Sequence, residues 1–193
     1  MSDRQTLDMV LSSDVVSLLI KQHSQIRDMF AEVELAQGNE KQEAFERLVR
    51  LLAVHETAEE EVVHPLTRTA PGGSGVADDR LAEEHDAKEK LKELEKIGVE
   101  GEGFDELFEV LRHEVLEHAR AEERYEFTQL RRRTSPAQLV TLAAAVRAAE
   151  ATAPTHPHPG VESATANLML GPFVAVADRV RDALRQASRQ AND

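Results

Sequence analysis

The chain has 193 residues, 41% of them apolar, enough for one domain with a real core. Its 36 acidic residues against 23 basic ones leave a formal net charge of −13, which repels phosphate backbones and anionic lipid, so neither nucleic acid nor membrane is an expected partner. The absence of cysteine removes disulfides, thiolate nucleophiles, iron–sulfur clusters and cysteine-based zinc sites together.

In chain order, the opening MSDRQTLDMVLSSD lacks a basic segment followed by an apolar one, and no apolar run reaches bilayer length. A cytoplasmic location is therefore expected. Residues 14–36 carry apolar side chains at 15, 16, 19, 20, 26, 30 and 33, a helical rhythm that Ser13 or Asp14 can cap. QGN at 37–39 ends that helix, and a second is expected over about 40–69, bent at Pro65. PGGSG at 71–75 is the clearest break in the chain. A third helix is expected over about 76–97, closed by GVEGEG, and a fourth over about 104–133. Four such helices with short connections predict an all-α, up-down-up-down four-helix bundle.

Residues 134–193 read as a helical C-terminal extension. Ser135–Pro136 opens an alanine-rich helix in the order cap, then proline. TAPTHPHPG follows as a stiff loop, and its His156 and His158 are expected to be loop residues. A last helical stretch over 162–190 is interrupted at Gly171–Pro172. Its Val176, Val180 and Leu184 share a face for the bundle or for a second copy of the chain, a homodimer in the latter case.

The segment HETAEEEVVHP at 55–65 concentrates two histidines and four glutamates. Aligning His55 with His118 exposes a repeat, F-E-x-L-x6-H-x-x-A-E-E, with a period of 63 residues. A solvated charged face has no reason to keep that register. Residues four apart are neighbours on one helix face, so His55 with Glu59 and His118 with Glu122 form two matched nitrogen–oxygen pincers. Leu48, Leu51 and Val62 lie within about 40° of His55, so the helix-2 pincer points along the apolar stripe. Ionised carboxylates are almost never buried unpaired, and a metal cation supplies the missing partner.

Helices 1 and 3 each add a histidine, in Gln22–His23 and Glu84–His85. His23 shares a face with Leu19, Ile20, Ile26 and Phe30. His85 lies nearer the edge of its stripe, because Leu91 and Leu94 drift away from it. Competing metal motifs fail on detail. A zincin needs a second histidine where Glu59 stands. Ferritin-like sites need two Glu-x-x-His pairs, and Glu61–His64 has no counterpart in helix 4. At about 100° per residue, His64 lies about 180° from His55, which predicts a surface or turn residue. Glu60 and Glu123 lie about 140° from their histidines and are expected to face water.

With these residues in place, the chain resembles the hemerythrin-like, or HHE cation-binding, family over about residues 14–133. The resemblance implies a non-haem di-iron centre, two iron ions with an oxo or hydroxo bridge. It implies ligation by His23, His55, His85 and His118, with Glu59 and Glu122 bridging. A glutamate directly after the helix-2 histidine, here Glu56, is a further ligand in iron- or oxygen-sensing relatives. The chain departs from the oxygen-carrying pattern on helix 3, where Glu89 stands in place of a second histidine, and on helix 4, where Glu122 replaces a more distant aspartate. Glu89, Glu114 and Tyr125 are further candidates for contact with the metals, Tyr125 equally as a packing residue.

This carboxylate-rich set implies reaction with oxygen or peroxide more than reversible oxygen carriage. The expected function is peroxide-consuming or oxidase-like, related to oxidative stress, with dioxygen, peroxide or nitric oxide as small ligands. The alternative is a non-catalytic oxygen, iron or nitric-oxide sensor, or an iron-binding protein. A metal-free helical interaction module is the third reading.

Overall fold

Asp14 opens the first helix by accepting a hydrogen bond from the Ser17 backbone N–H at 2.7 Å, satisfying one of the donors a helix start leaves unpaired. The computed structural model describes residues 14–151 and 153. Among them the order is α1 (Val15–Leu35), α2 (Gly38–Ala58), α3 (Gly73–Ile97), α4 (Phe104–Ala121) and α5 (Pro136–Glu150), with no strand. Helix α2 continues through a π-helical turn, Glu59–Val63, into a last α-turn, His64–Thr67. Helix α4 likewise continues through a π-turn, Glu122–Glu126, into Phe127–Arg133. The expected last helix with its Gly171–Pro172 break, the loop with His156 and His158, and the stretch before Asp14 lie outside the described residues.

Short connections make successive helices antiparallel. Helix α1 packs on α2, α3 on α4, and α4 closes back on α1, giving the expected four-helix bundle. Helix α3 starts at Gly73, three residues before its expected start. The corner after α2 is tight, and a Cβ at Gly73 would lie 1.8 Å from the Thr67 carbonyl oxygen, so only glycine admits this approach. Ser135 and Gln138 form a capping box at the start of α5, with Pro136 in its first turn. That helix lies against α1 and α2.

The core has two apolar parts. One end is filled by residues such as Phe30, Phe45, Leu91, Phe104, Phe108 and Leu111. The Phe104 and Phe108 rings stack at 5.5 Å, and Phe45 meets Phe104 edge-on at 5.2 Å. The other end joins Val15, Leu19, Val62 and Phe127 to Leu142 and Val146 of α5. Chain position places the histidine–glutamate segment between them. His23 falls between Leu19 and Ile26, and His118 with Glu122 falls between Val115 and Phe127. The bundle is thus apolar at both ends and polar in the middle.

Because Phe108 is buried within the aromatic cluster at one end of the bundle, Phe108→Ala is expected to cost about 3–5 kcal/mol of stability. Denaturant unfolding of both proteins measures it, and a loss below about 1 kcal/mol contradicts the packing.

Candidate metal centre

The two pincers form as ordinary α-helix. Glu59 N–H bonds to the His55 carbonyl and Glu122 N–H to that of His118. His55 Nε2 lies 3.3 Å from Glu59 Oε2, and His118 Nε2 lies 3.5 Å from Glu122 Oε2. From α1, His23 Nε2 reaches 3.4 Å from Glu122 Oε2 and 3.9 Å from Glu59 Oε1. Glu59 and Glu122 are both 0% exposed. Neither carboxylate has a hydrogen-bond partner among the described residues, nor have His23 Nε2 and His118 Nε2.

The opposite ring nitrogens are anchored. With the proton on Nδ1, His23 donates to Glu123 Oε1 at 2.9 Å, His55 to Gln22 Oε1 at 3.0 Å, and His118 to Glu83 Oε2 at 2.8 Å. Each anchor fixes a tautomer and turns the Nε2 lone pair inward, as metal-binding histidines require. Gln22 is itself held by a hydrogen bond from its amide to Glu150 of α5.

Three groups of donor atoms result, each with its atoms within 4.8 Å of one another: His23, His55 and Glu59; Glu59, Glu84, His118 and Glu122; and His64, Glu122 and Glu126. Glu59 joins the first to the second, and Glu122 the second to the third. Buried nitrogen and oxygen donors that converge without meeting hydrogen-bond partners are what a cation fits.

The electrostatics carry the same signature. Burial, reinforced by Glu122, holds Glu59 well above the usual carboxylate range. Burial and the neighbouring His23 push His55 down to about 3. Burial opposes charge on His118, but Glu122, Glu83 and Glu84 outweigh it and raise His118 well above the usual range. Burial likewise works against the Glu122 carboxylate, yet His118 and His23 hold it well below its ordinary value.

The residues expected from sequence distribute as follows. His23, His55, His118, Glu59 and Glu122 come together. His85 stands outside the three groups; its neighbour Glu84, 1% exposed, faces the centre instead. Glu56 is buried on the wall of an adjoining cavity but belongs to none of the groups. Glu89 is exposed, and Glu114 pairs with Lys90 at the surface. Tyr125 is 58% exposed. Glu60 does not face water: it is buried and paired with the buried Lys88. Glu123, which is exposed, instead anchors His23. His64 is not a surface residue but 1% exposed, because the π-turn before it absorbs one residue and withdraws about 100° of rotation. Glu126, which sequence reasoning passed over, is brought in by the matching turn of α4. The 63-residue repeat carries no direct signal for it, since its counterpart in helix α2 is Val63, although the two π-turns stand at equivalent positions.

A cavity of about 440 Å³ opens beside the centre. Ile26, Leu52, Ala87 and Val115 supply its apolar wall, and His55 and His118 line it toward the donors.

A helical bundle with a buried histidine–carboxylate core is a cation-binding bundle. The chain belongs to the hemerythrin HHE cation-binding domain family, whose model matches residues 14–130. Over 150 residues it is 27% identical to a protein of Nostoc sp. (strain PCC 7120 / SAG 25.82 / UTEX 2576) described as a DNA nickase, an alignment that covers 77% of this chain and 41% of that protein. The chain thus spans less than half the length of that relative. No solved structure matches it significantly. No helix among the described residues is long and apolar enough to cross a membrane.

Two outcomes follow from the geometry. With no cation present, Glu59 and His118 are both shifted toward their protonated forms. A cation competes with those protons, so affinity is expected to weaken as pH falls and uptake to release protons. Calorimetric titration with manganese(II) in two buffers of different ionisation heat measures the release. Gln22→Ala removes the acceptor that orients His55 and is expected to weaken cation affinity about 10–100-fold. Unchanged affinity would show that His55 needs no anchor.

Proposed function

We propose that the protein holds a pair of iron ions in the two groups that share Glu59, and that it reacts there with dioxygen or peroxide. The observation that carries this reading is the set of inward-facing, unpartnered donors beside an open cavity. His23, His55 and Glu59 would hold one ion, and Glu84, His118 and Glu122 the other. Imidazole suits iron, and the added carboxylates favour its higher charge. Bound iron supplies electron exchange with oxygen species.

The chain's own residues do the rest. His23, His55 and His118 are oriented by Glu123, Gln22 and Glu83. Burial raises the Glu56 carboxyl to about 8, so it holds a proton at neutral pH on the cavity wall. A group so placed can give a proton to a small oxygen species. This role suits Glu56 better than ligation, since it stands outside the donor groups. The cavity's volume is an order of magnitude above the roughly 30 Å³ share of one water, which leaves room for a small donor molecule beside the oxidant.

A second reading, sensing without turnover, is favoured by one contact. Glu150 of α5 holds Gln22, which holds His55, so a change at the centre has a route to α5. We propose no nucleic-acid substrate. The nickase relative is aligned over 41% of its length, and a net charge of −13 repels DNA.

Iron-loaded protein is expected to consume peroxide well beyond an equal amount of free iron. Glu59→Gln is expected to lose iron and that turnover together, while Glu56→Gln keeps its iron and slows turnover. Iron retained with peroxide consumption no better than free iron would overturn the enzymatic reading in favour of sensing.

A further inference from the structure

The pincers do not need the π-turns. Both His55–Glu59 and His118–Glu122 close in ordinary α-helical register, and the widened turns begin only after them, where His64 N–H bonds to the Glu59 carbonyl and Phe127 N–H to that of Glu122. π-Turns are rare and concentrate at functional sites. Two of them at equivalent positions of a repeat therefore need a cause. Proline is not that cause. Pro65 follows the turn of α2, but Thr128 stands at the equivalent place in α4.

What the turns accomplish is rotation. In unbroken α-helix, His64 would lie about 180° from His55, and Glu126 about 80° from His118. Absorbing one residue brings them to about 80° and about 20°, into the bundle. The result is the third group of donors, His64, Glu122 and Glu126, all 3% exposed or less.

His64 follows the pattern of the three other histidines in this belt. One ring nitrogen is anchored: Nε2–H donates to Glu84 Oε1 at 2.6 Å. The other, Nδ1, lies 3.4 Å from Glu126 Oε1 and has no hydrogen-bond partner among the described residues. Glu126 is oriented in turn, because Thr67 Oγ1 donates to its Oε1 at 2.8 Å and leaves Oε2 unpartnered. Anchored ligands with their free donors converging are how a cation site is built.

We propose that His64 Nδ1 and the carboxylates of Glu126 and Glu122 form a third cation site, for a first-row transition metal such as iron or manganese, adjoining the pair. The proposal rests on the metal-centre reading through Glu122, which the second and third groups share. Glu84 serves it from the side, as the acceptor that orients His64. The competing description is a metal-free ion triad in which a protonated His64 bridges Glu84 and Glu126.

The test is manganese(II) loading of the full chain, counted by native mass spectrometry, with anomalous diffraction from crystals of the loaded protein. The unmodified protein is expected to carry three ions, with one anomalous peak beside His64 Nδ1 and Glu126. His64→Asn and Glu126→Gln are each expected to carry two. Two ions in all three proteins, with no peak beside His64, would overturn the third site and leave the ion triad while the pair stands. No bound ion in the unmodified protein would overturn the metal-centre reading itself. Should a variant fail to fold, the diffraction from the unmodified protein decides alone.

Discussion

Burying a carboxylate with oxygens left unpartnered is among the least favourable things a protein can do, since it must hold its charge out of water or give it up to a proton, and the middle of this bundle does it repeatedly. Glu59 and Glu122 are fully buried without hydrogen bonds among the described residues, while the buried Glu84 and Glu126 each accept through Oε1 and leave Oε2 unpartnered. The effective penalty is several kcal/mol per ion. Helix propensity and the two apolar ends must hold this belt together until a cation arrives. The aromatic cluster at one end and the α5-covered cluster at the other act as clamps on a middle that repels itself. Cation binding and folding are therefore linked: whatever binds the native belt and not the unfolded chain adds stability by mass action.

Much of this was legible in the sequence because helices report their faces. The 63-residue repeat located both pincers, and the phase of His23 with Leu19 and Ile26 placed it inside. Helix α3 was read less well, and the signal was present. Ala77, Glu84 and Leu91 are spaced by sevens and all are buried, so Glu84 lies on the stripe and His85 about 100° off it. The drift of Leu91 and Leu94 away from His85 is the same fact seen from the other side. Histidine is the commoner ligand, but helix phase decides which side chain faces the centre. His64 and Glu60 were misplaced for a different reason. The π-turn changes the angular increment partway along α2, and a constant increment carried through it puts everything beyond on the wrong face.

The anchors of the histidines divide by chemistry. His23 and His118 lean on carboxylates, which strengthen the imidazole as a donor, whereas His55 leans on the neutral amide of Gln22. His55 is also the ring that burial and its histidine neighbours push furthest toward the neutral form. A neutral acceptor suffices there, since no charge on the ring needs support. Gln22 brings a second property: an amide has a donor as well as an acceptor, and its donor goes to Glu150. A carboxylate at position 22 has no amide donor with which to bridge His55 to the Glu150 side chain. The residue type therefore matches a position that must join the centre to α5.

The π-turns bind the centre to the fold in one further way. His64 and Phe127 are equivalent in the repeat, each the first residue past its turn. The rotation that carries His64 into the belt in α2 carries Phe127 into the second apolar cluster in α4, where its ring stacks on His23 at 5.6 Å. In unbroken α-helix Phe127 would point about 180° from His118, toward solvent. Fully burying such a ring contributes about 1.5–3 kcal/mol, enough to offset the poorer hydrogen-bond geometry of one widened turn. In α4, then, apolar burial holds the rotation that aims Glu126. In α2 the burial of Val63, which unbroken α-helix would put about 80° from His55, does the same for His64. Neither turn can straighten without moving apolar side chains out of the cluster that α5 covers, so the seal at this end of the bundle and the aim of its last donors are set by the same two insertions.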